Sequence, residues 1–205
     1  MTICLVTDRR QRPPVDQARE AADAGVDLIH VRERDLEARA LFELAAAVVE
    51  ATRGSSAKVV VNDRVDVALT CGAGGVHLRG ESIPAAQVRA IAPPGFLIGS
   101  SVRSGAEAGS AAASDYLVAG TVFPTASKPG MAAFLGLDGL AAVVRATTLP
   151  VLAIGGISVE RAADVAATGA RGVAAIGLFA DAERPIKEVV RQLRERFNIG
   201  GENFL

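Results

Sequence analysis

The chain is short of cysteine, of histidine, of lysine and of any charge imbalance, and these shortages narrow what it does. Its two cysteines, Cys4 and Cys71, are too far apart for a thiolate metal motif. Two buried thiols in a reducing compartment are the expectation. Twenty-two basic against 23 acidic side chains leave a formal charge of −1, so no electrostatic footprint points to nucleic acid or to an anionic membrane. Long apolar runs are missing as well: they break at Arg145, Pro150 or glycine pairs, short of a bilayer span. No basic leader or cleavable apolar segment precedes the first strand, and the expected location is the cytoplasm. Histidine is confined to His30 and His77, and lysine to Lys58, Lys128 and Lys187.

What is present is hydrophobic sequence, 50% of 205 residues, enough to bury one full core, and a single domain over 1–205 is the economical division. Short β-branched runs alternate with Ala-rich helical stretches. The strands expected are Ile3–Thr7, Asp27–Arg32, Lys58–Asn62, Gly75–Leu78, Leu97–Val102, Tyr116–Val122, Pro150–Ile154 and Gly172–Ile176. Between them lie helical patterns such as Leu36–Thr52, where Leu41, Leu44, Ala45, Val48 and Val49 share a face. Gly54, Gly74 and Gly169 are placed to end helices. Such alternation implies an α/β fold with a parallel sheet and right-handed crossovers. Eight strands in this length suit a closed (β/α)8 TIM barrel, with an open doubly wound sheet as the alternative. Residues 198–205 read as a tail beyond the last helix, loose or packed on a partner, and a homo-oligomer is open.

In a barrel of this class, chemistry gathers where strands end and βα loops begin. Leu149-Pro-Val-Leu-Ala-Ile-Gly-Gly-Ile157 is an apolar run broken by Gly155 and Gly156. Gly172-Val-Ala-Ala-Ile-Gly-Leu-Phe179 repeats the design with Gly177. Two glycine-marked ends on strands seven and eight suit a phosphate grip of bare backbone N–H groups, although glycines also simply fit tight turns. On the second strand, alternation puts His30, Arg32 and Arg34 on one face and Val31 and Glu33 on the other. The two guanidiniums form an anion clamp or, alternatively, part of an Arg–Glu network sealing the mouth. Asp63, directly after the third strand, holds Mg²⁺ or caps the next helix. Lys128, on a long sixth loop, is either a compact point charge for an anion or a solvated lysine.

These fragments also occur in a recognisable order. Asn62-Asp-Arg-Val-Asp66, Gly75-Val-His-Leu78, Ile98-Gly-Ser-Ser101, Asp115-Tyr116, Phe123-Pro-Thr-Ala-Ser-Lys128 and Ala153-Ile-Gly-Gly-Ile157 together resemble the thiamine phosphate synthase and TenI superfamily. The resemblance runs from Leu5-Val-Thr-Asp8 to Gly172-Val-Ala-Ala175. It implies an enzyme joining a hydroxymethylpyrimidine diphosphate to a thiazole phosphate with release of pyrophosphate. By position it assigns pyrophosphate to Arg32, Arg34, Asn62, Ser101 and Lys128, and Mg²⁺ to Asp63. It assigns the thiazole phosphate to the backbone of Gly155, Gly156, Ile176 and Gly177, with Thr125 among the substrate contacts.

Several positions depart from the synthase pattern. His30-Val-Arg-Glu-Arg34 stands for Gln-Leu-Arg-Glu-Lys and looks like the TenI branch. Arg79-Gly-Glu-Ser82 stands for Gly-Gln-Glu-Asp, so Ser82 replaces the second Mg²⁺ carboxylate unless Glu81 turns to supply it. Gly177 stands for a serine. The resemblance therefore leaves a TenI-like thiazole tautomerase, which needs no metal, as an alternative, and a non-catalytic binder of thiamine precursors as another. The tautomerase general base is itself a histidine that matches Thr121 here. Of the two histidines, His30 shares the arginine face and is the better acid–base candidate, while His77 is expected to face the barrel wall or bond a neighbour.

Overall fold

Eight parallel strands pair in chain order and close on themselves in the computed structural model, which describes residues 1–125, 130, 133–181 and 183–201. They are β1 Thr2–Val6, β2 Leu28–Val31, β3 Lys58–Asn62, β4 Gly75–Leu78, β5 Leu97–Val102, β6 Tyr116–Gly120, β7 Val151–Ile154 and β8 Gly172–Ala175. Closure is made by β8 against β1, with Thr2 opposite Gly172 and Cys4 opposite Ala174. That pairing rules out the open sheet, and the fold is the expected (β/α)8 barrel. The helices are α1 Pro14–Asp23, α2 Ala38–Ala51, α3 Val65–Thr70, α4 Ala85–Ile91, α5 Gly105–Gly109, α6 Gly136–Arg145, α7 Ala162–Ala167 and α8 Ile186–Gly201. No helix among the described residues is long and apolar enough to cross a membrane.

Alternation along each strand builds two cores. Outward residues such as Ile3, Leu5, Ile29, Val31, Val59, Val61 and Val76 pack under the helices in one large cluster. Inward residues Cys4, Val6, Leu28, Tyr116, Val118, Leu152 and Ala174 fill the barrel itself. On α2, Leu41, Ala45 and Val48 are buried and Leu44 and Val49 partly so, which is the apolar face that the 3.6-residue period marks.

Besides one-residue offsets at the ends of β1, β2, β7 and β8, three boundaries differ from the sequence reading. The sixth strand stops at Gly120 rather than Val122, because the chain there turns off the ladder into the sixth loop. After α3 the left-handed turn is made by Gly72 (φ 75°), not Gly74, since it lies directly beyond the helix end. The last helix continues through 198 to Gly201, so the expected tail begins as helix, and residues 202–205 lie outside the described set.

At the base, two aspartates repeat one device. Asp27, just before β2, accepts the Ile3 N–H at 2.8 Å and pairs with Arg194 at 3.2 Å. Asp115, just before β6, accepts the Ile98 N–H at 2.7 Å and pairs with Arg89 at 2.6 Å. The two latches stand four strands apart around the barrel.

Candidate active site at the barrel mouth

The C-terminal ends of the strands open into a cleft of about 1430 Å³. Its floor is a ladder of inward polar residues, one from each of four consecutive strands: His30, Asn62, His77 and Ser101. Register makes Asn62 the neighbour of His77. His77 bonds Ser101 Oγ through Nε2 at 2.9 Å and faces the Tyr116 hydroxyl through Nδ1 at 3.3 Å. Gly99 makes this possible, because a Cβ there would collide with the Tyr116 ring and with His77. The His30 and His77 rings meet at a 49° tilt with 4.7 Å between centroids. Both imidazoles are buried, 5% and 2% exposed. Burial, reinforced by Arg32, pushes His77 down to about 4. Burial, then His77 and Arg32, hold His30 well below the ordinary imidazole range, while Asn62 acts weakly the other way. Both rings are therefore neutral at neutral pH. His30 Nε2 is buried without a hydrogen-bond partner among the described residues, an uncompensated polar atom beneath the floor of the cleft.

Arg32 and Arg34 follow β2 and line the same cleft. Glu33 points the other way: it is buried, accepts from the Thr7 hydroxyl at 2.7 Å and from the Arg9 N–H at 3.1 Å, and pairs with the Arg9 guanidinium at 3.2 Å. The carboxylate thus serves Arg9 and Thr7 and leaves Arg32 and Arg34 without an ion pair among the described residues. Burial and then the neighbouring Arg34 lower Arg32, with a further push from Arg79. Cations crowded in this way, half out of water, are stabilised by an incoming anion.

Asp63 takes a left-handed backbone (φ 63°) directly after β3. Its side chain caps no helix: α3 has no side-chain cap bond. Instead Oδ1 accepts from the Ser82 hydroxyl, and Oδ2 accepts from Arg79 Nη2 at 2.6 Å and Nε at 3.2 Å. Glu81 is exposed on the rim of the cleft, and the side chain that turns onto Asp63 is Ser82. Among the described residues no three of His, Cys, Asp and Glu come together to hold a metal. One carboxylate, bonded on both oxygens and touching a guanidinium, does not fit a two-carboxylate Mg²⁺ site.

Across the barrel, Gly155 (φ 99°) and Gly156 (φ 63°) follow β7, and Ile176 and Gly177 follow β8, all four lining the cleft. At Gly155 a Cβ would strike Thr121, and at Gly156 it would strike Pro124 O and Phe123. Those two glycines are therefore required by the adjoining sixth loop. Gly177 differs: nothing lies within 4 Å of its virtual Cβ, so this is the position that opens onto the cleft. Arg161 closes the seventh loop by donating to Gly156 O at 2.6 Å and stacking 4.5 Å over Phe123. Thr125 lines the cleft, whereas Lys128 lies outside the described residues.

Two contacts escape the sequence reading. Tyr116, the first residue of β6, stands in the Asp115-Tyr116 motif, but nothing in the sequence signals its contact with His77. Arg79 is visible as a polar residue at a strand end, but its engagement with Asp63, sixteen positions earlier, depends on the turn through Ser82.

Comparison with known proteins bears on the same cleft. Residues 3–179 match the family described as thiamine monophosphate synthase. A thiamine-phosphate synthase from Methanoculleus marisnigri is 43% identical over 197 residues, 94% of this chain and 93% of that protein. The one from Pyrococcus furiosus is 39% identical, over 95% of this chain and 94% of its own. A solved thiamine phosphate pyrophosphorylase from Pyrococcus furiosus superimposes with a TM-score of 0.85 at 36% identity, covering 97% and 96% of the two chains. A 3-hexulose-6-phosphate synthase at 20% identity and TM-score 0.72 shares the fold alone.

Proposed function

The chain belongs to the thiamine monophosphate synthase family, and from that membership we propose that it is a transferase joining hydroxymethylpyrimidine diphosphate to thiazole phosphate. The observation that carries this reading is one cleft with two anion-binding poles and a neutral floor. Arg32 and Arg34, without an ion pair among the described residues, stand at one pole, and the glycine turns of β7 and β8 stand at the other. Two phosphorylated substrates need such an arrangement.

The reaction follows from the charges. The bond between the pyrimidine methylene carbon and the diphosphate oxygen breaks heterolytically, and its electron pair leaves with the diphosphate. Arg32, Arg34, Asn62 and Ser101 hold that growing negative charge, with Lys128 assigned to the same anion by its motif. The cation left behind meets uncharged imidazoles at His30 and His77, which do not repel it as imidazolium ions would. The His30 ring, on the floor of the cleft, gives the pyrimidine an uncharged surface to pack on and so orients it. His77, pinned between Ser101 and Tyr116, holds the Ser101 hydroxyl toward the leaving group. The thiazole nitrogen then donates its lone pair to the methylene carbon. Its phosphate is held on backbone N–H groups at Gly155, Gly156, Ile176 and Gly177. Products are thiamine phosphate and pyrophosphate. The free thiols of Cys4 and Cys71 accord with work in the cytoplasm.

Purified protein given both substrates should release thiamine phosphate and pyrophosphate in equal amounts. Isomerisation of a thiazole carboxylate phosphate without condensation would instead make it a tautomerase. Tight binding with neither reaction would make it a binder of precursors.

A further inference from the structure

We propose that Arg79 is a third diphosphate-binding residue, supplying as a fixed guanidinium the positive charge that a metal ion between two carboxylates would otherwise supply. The inference rests on the synthase reading and concerns how this particular chain carries it out.

The first support is positional. Arg79 directly follows β4 and lines the same cleft as Arg32 and Arg34. Of these three, Arg79 is the one that bonds Asp63, and Arg34 acts on that carboxylate at longer range. The second is orientation. Ser82 accepts the Arg79 backbone N–H at 2.7 Å, returns its own N–H to Arg79 O at 3.1 Å, and places its hydroxyl on Asp63 Oδ1. Asp63 Oδ2 then receives Nε and Nη2 of Arg79. The guanidinium is thus clamped through one edge, and Nη1 makes no hydrogen bond among the described residues. A clamped cation with spare donors is preorganised for an oxyanion. The third support is the donor set. A serine hydroxyl is neutral where a second carboxylate would recruit a metal, and Arg79 adds a positive charge beside it. Both changes push the site away from a divalent cation and toward a bare anion. They fit together, because an arginine beside two carboxylates and a serine without the arginine would each leave the charge unbalanced.

The test is calorimetric titration with inorganic pyrophosphate, in excess Mg²⁺ and in EDTA. The natural protein should bind with affinities within about threefold of each other in the two conditions, a difference under one kcal/mol. Arg79→Gly should weaken binding in EDTA by roughly tenfold to a hundredfold, the range for one lost charge-assisted contact. Arg79→Lys, which keeps the charge without the fork, should fall between. The double variant Arg79→Gly, Ser82→Asp should gain at least about tenfold on adding Mg²⁺, because two carboxylates then face each other without an arginine. A tenfold or larger Mg²⁺ gain in the natural protein would overturn the proposal, and so would unchanged EDTA affinity in Arg79→Gly or Arg79→Lys. Turnover of both substrates is followed in the same samples. Absence of thiamine phosphate alongside metal-independent pyrophosphate binding would remove the synthase reading alone.

Discussion

His77 shows at the scale of one residue how a binding site taxes the fold that holds it. In the unfolded chain its imidazole takes up a proton near pH 6.5, whereas in the barrel burial delays this to about pH 4. Below pH 6.5 the unfolded state therefore binds the proton first, so stability is full above that value and falls as the pH drops toward 4. The loss reaches about 3 kcal/mol from this group at its folded pKa. A urea titration at pH 7 and at pH 4.5 should show that fall, and His77→Gln should reduce it, leaving the share that His30 contributes. A glycine pair gives a second contrast. Gly156→Val should destabilise the barrel by about 2 kcal/mol or more through its φ and its collision with Phe123 and Pro124. Gly177→Val should stay folded and weaken thiazole phosphate binding, because its Cβ enters open space. Equal melting temperatures for the two variants would contradict this division. The placement of His30, Arg32 and Arg34 on one cleft was legible in sequence because it follows from strand parity. Contacts were not legible where a side chain had a choice of partners. Glu33 chose Arg9 and Thr7 over its neighbouring arginines, and Asp63 chose Ser82 and Arg79 over the helix N-terminus.

Among elements, the strands β3, β4 and β5 fall on the ranges expected from their β-branched runs, since a buried strand carries its own signature in composition. Ends are harder. The sixth strand stops two residues early because tertiary contact with β7, not propensity, decides where the ladder ends: Phe123 N–H already bonds Gly155 O at 3.0 Å in the loop. The last helix overran its expected end because glycines at 200 and 201 weaken a helix without forbidding it. Between elements, the base aspartates join a strand start to a helix. Removing one orphans a buried strand N–H, and Asp115→Ala should lower stability by about 1–3 kcal/mol. Its denaturation midpoint should fall while pyrophosphate affinity stays unchanged, because the latch lies at the opposite end of β5 and β6 from the cleft. A midpoint equal to that of the natural protein would mean that Arg89 and solvent do the same work.

For the molecule as a whole, closure was readable from strand count and chain length, because eight parallel units in 205 residues leave little sequence for anything but a ring. The two-pole character of the cleft was readable only in halves, arginines in one part of the chain and glycines in another, until the ring brought β2 and β3 to face β7 and β8. The aspartate latches have a consequence that reaches beyond stability. They secure the wall from the rim that does no chemistry, so those cleft residues that take no part in packing the opposite rim are under little obligation to help keep the ring shut. Residues there can be exchanged for others of different charge while the scaffold stays sound, and this chain has His30, Arg34, Arg79 and Ser82 at such positions. The wall and the rim are separable in this sense, although Arg79 and Ser82, both bonded to Asp63, balance each other's charge and count as one unit.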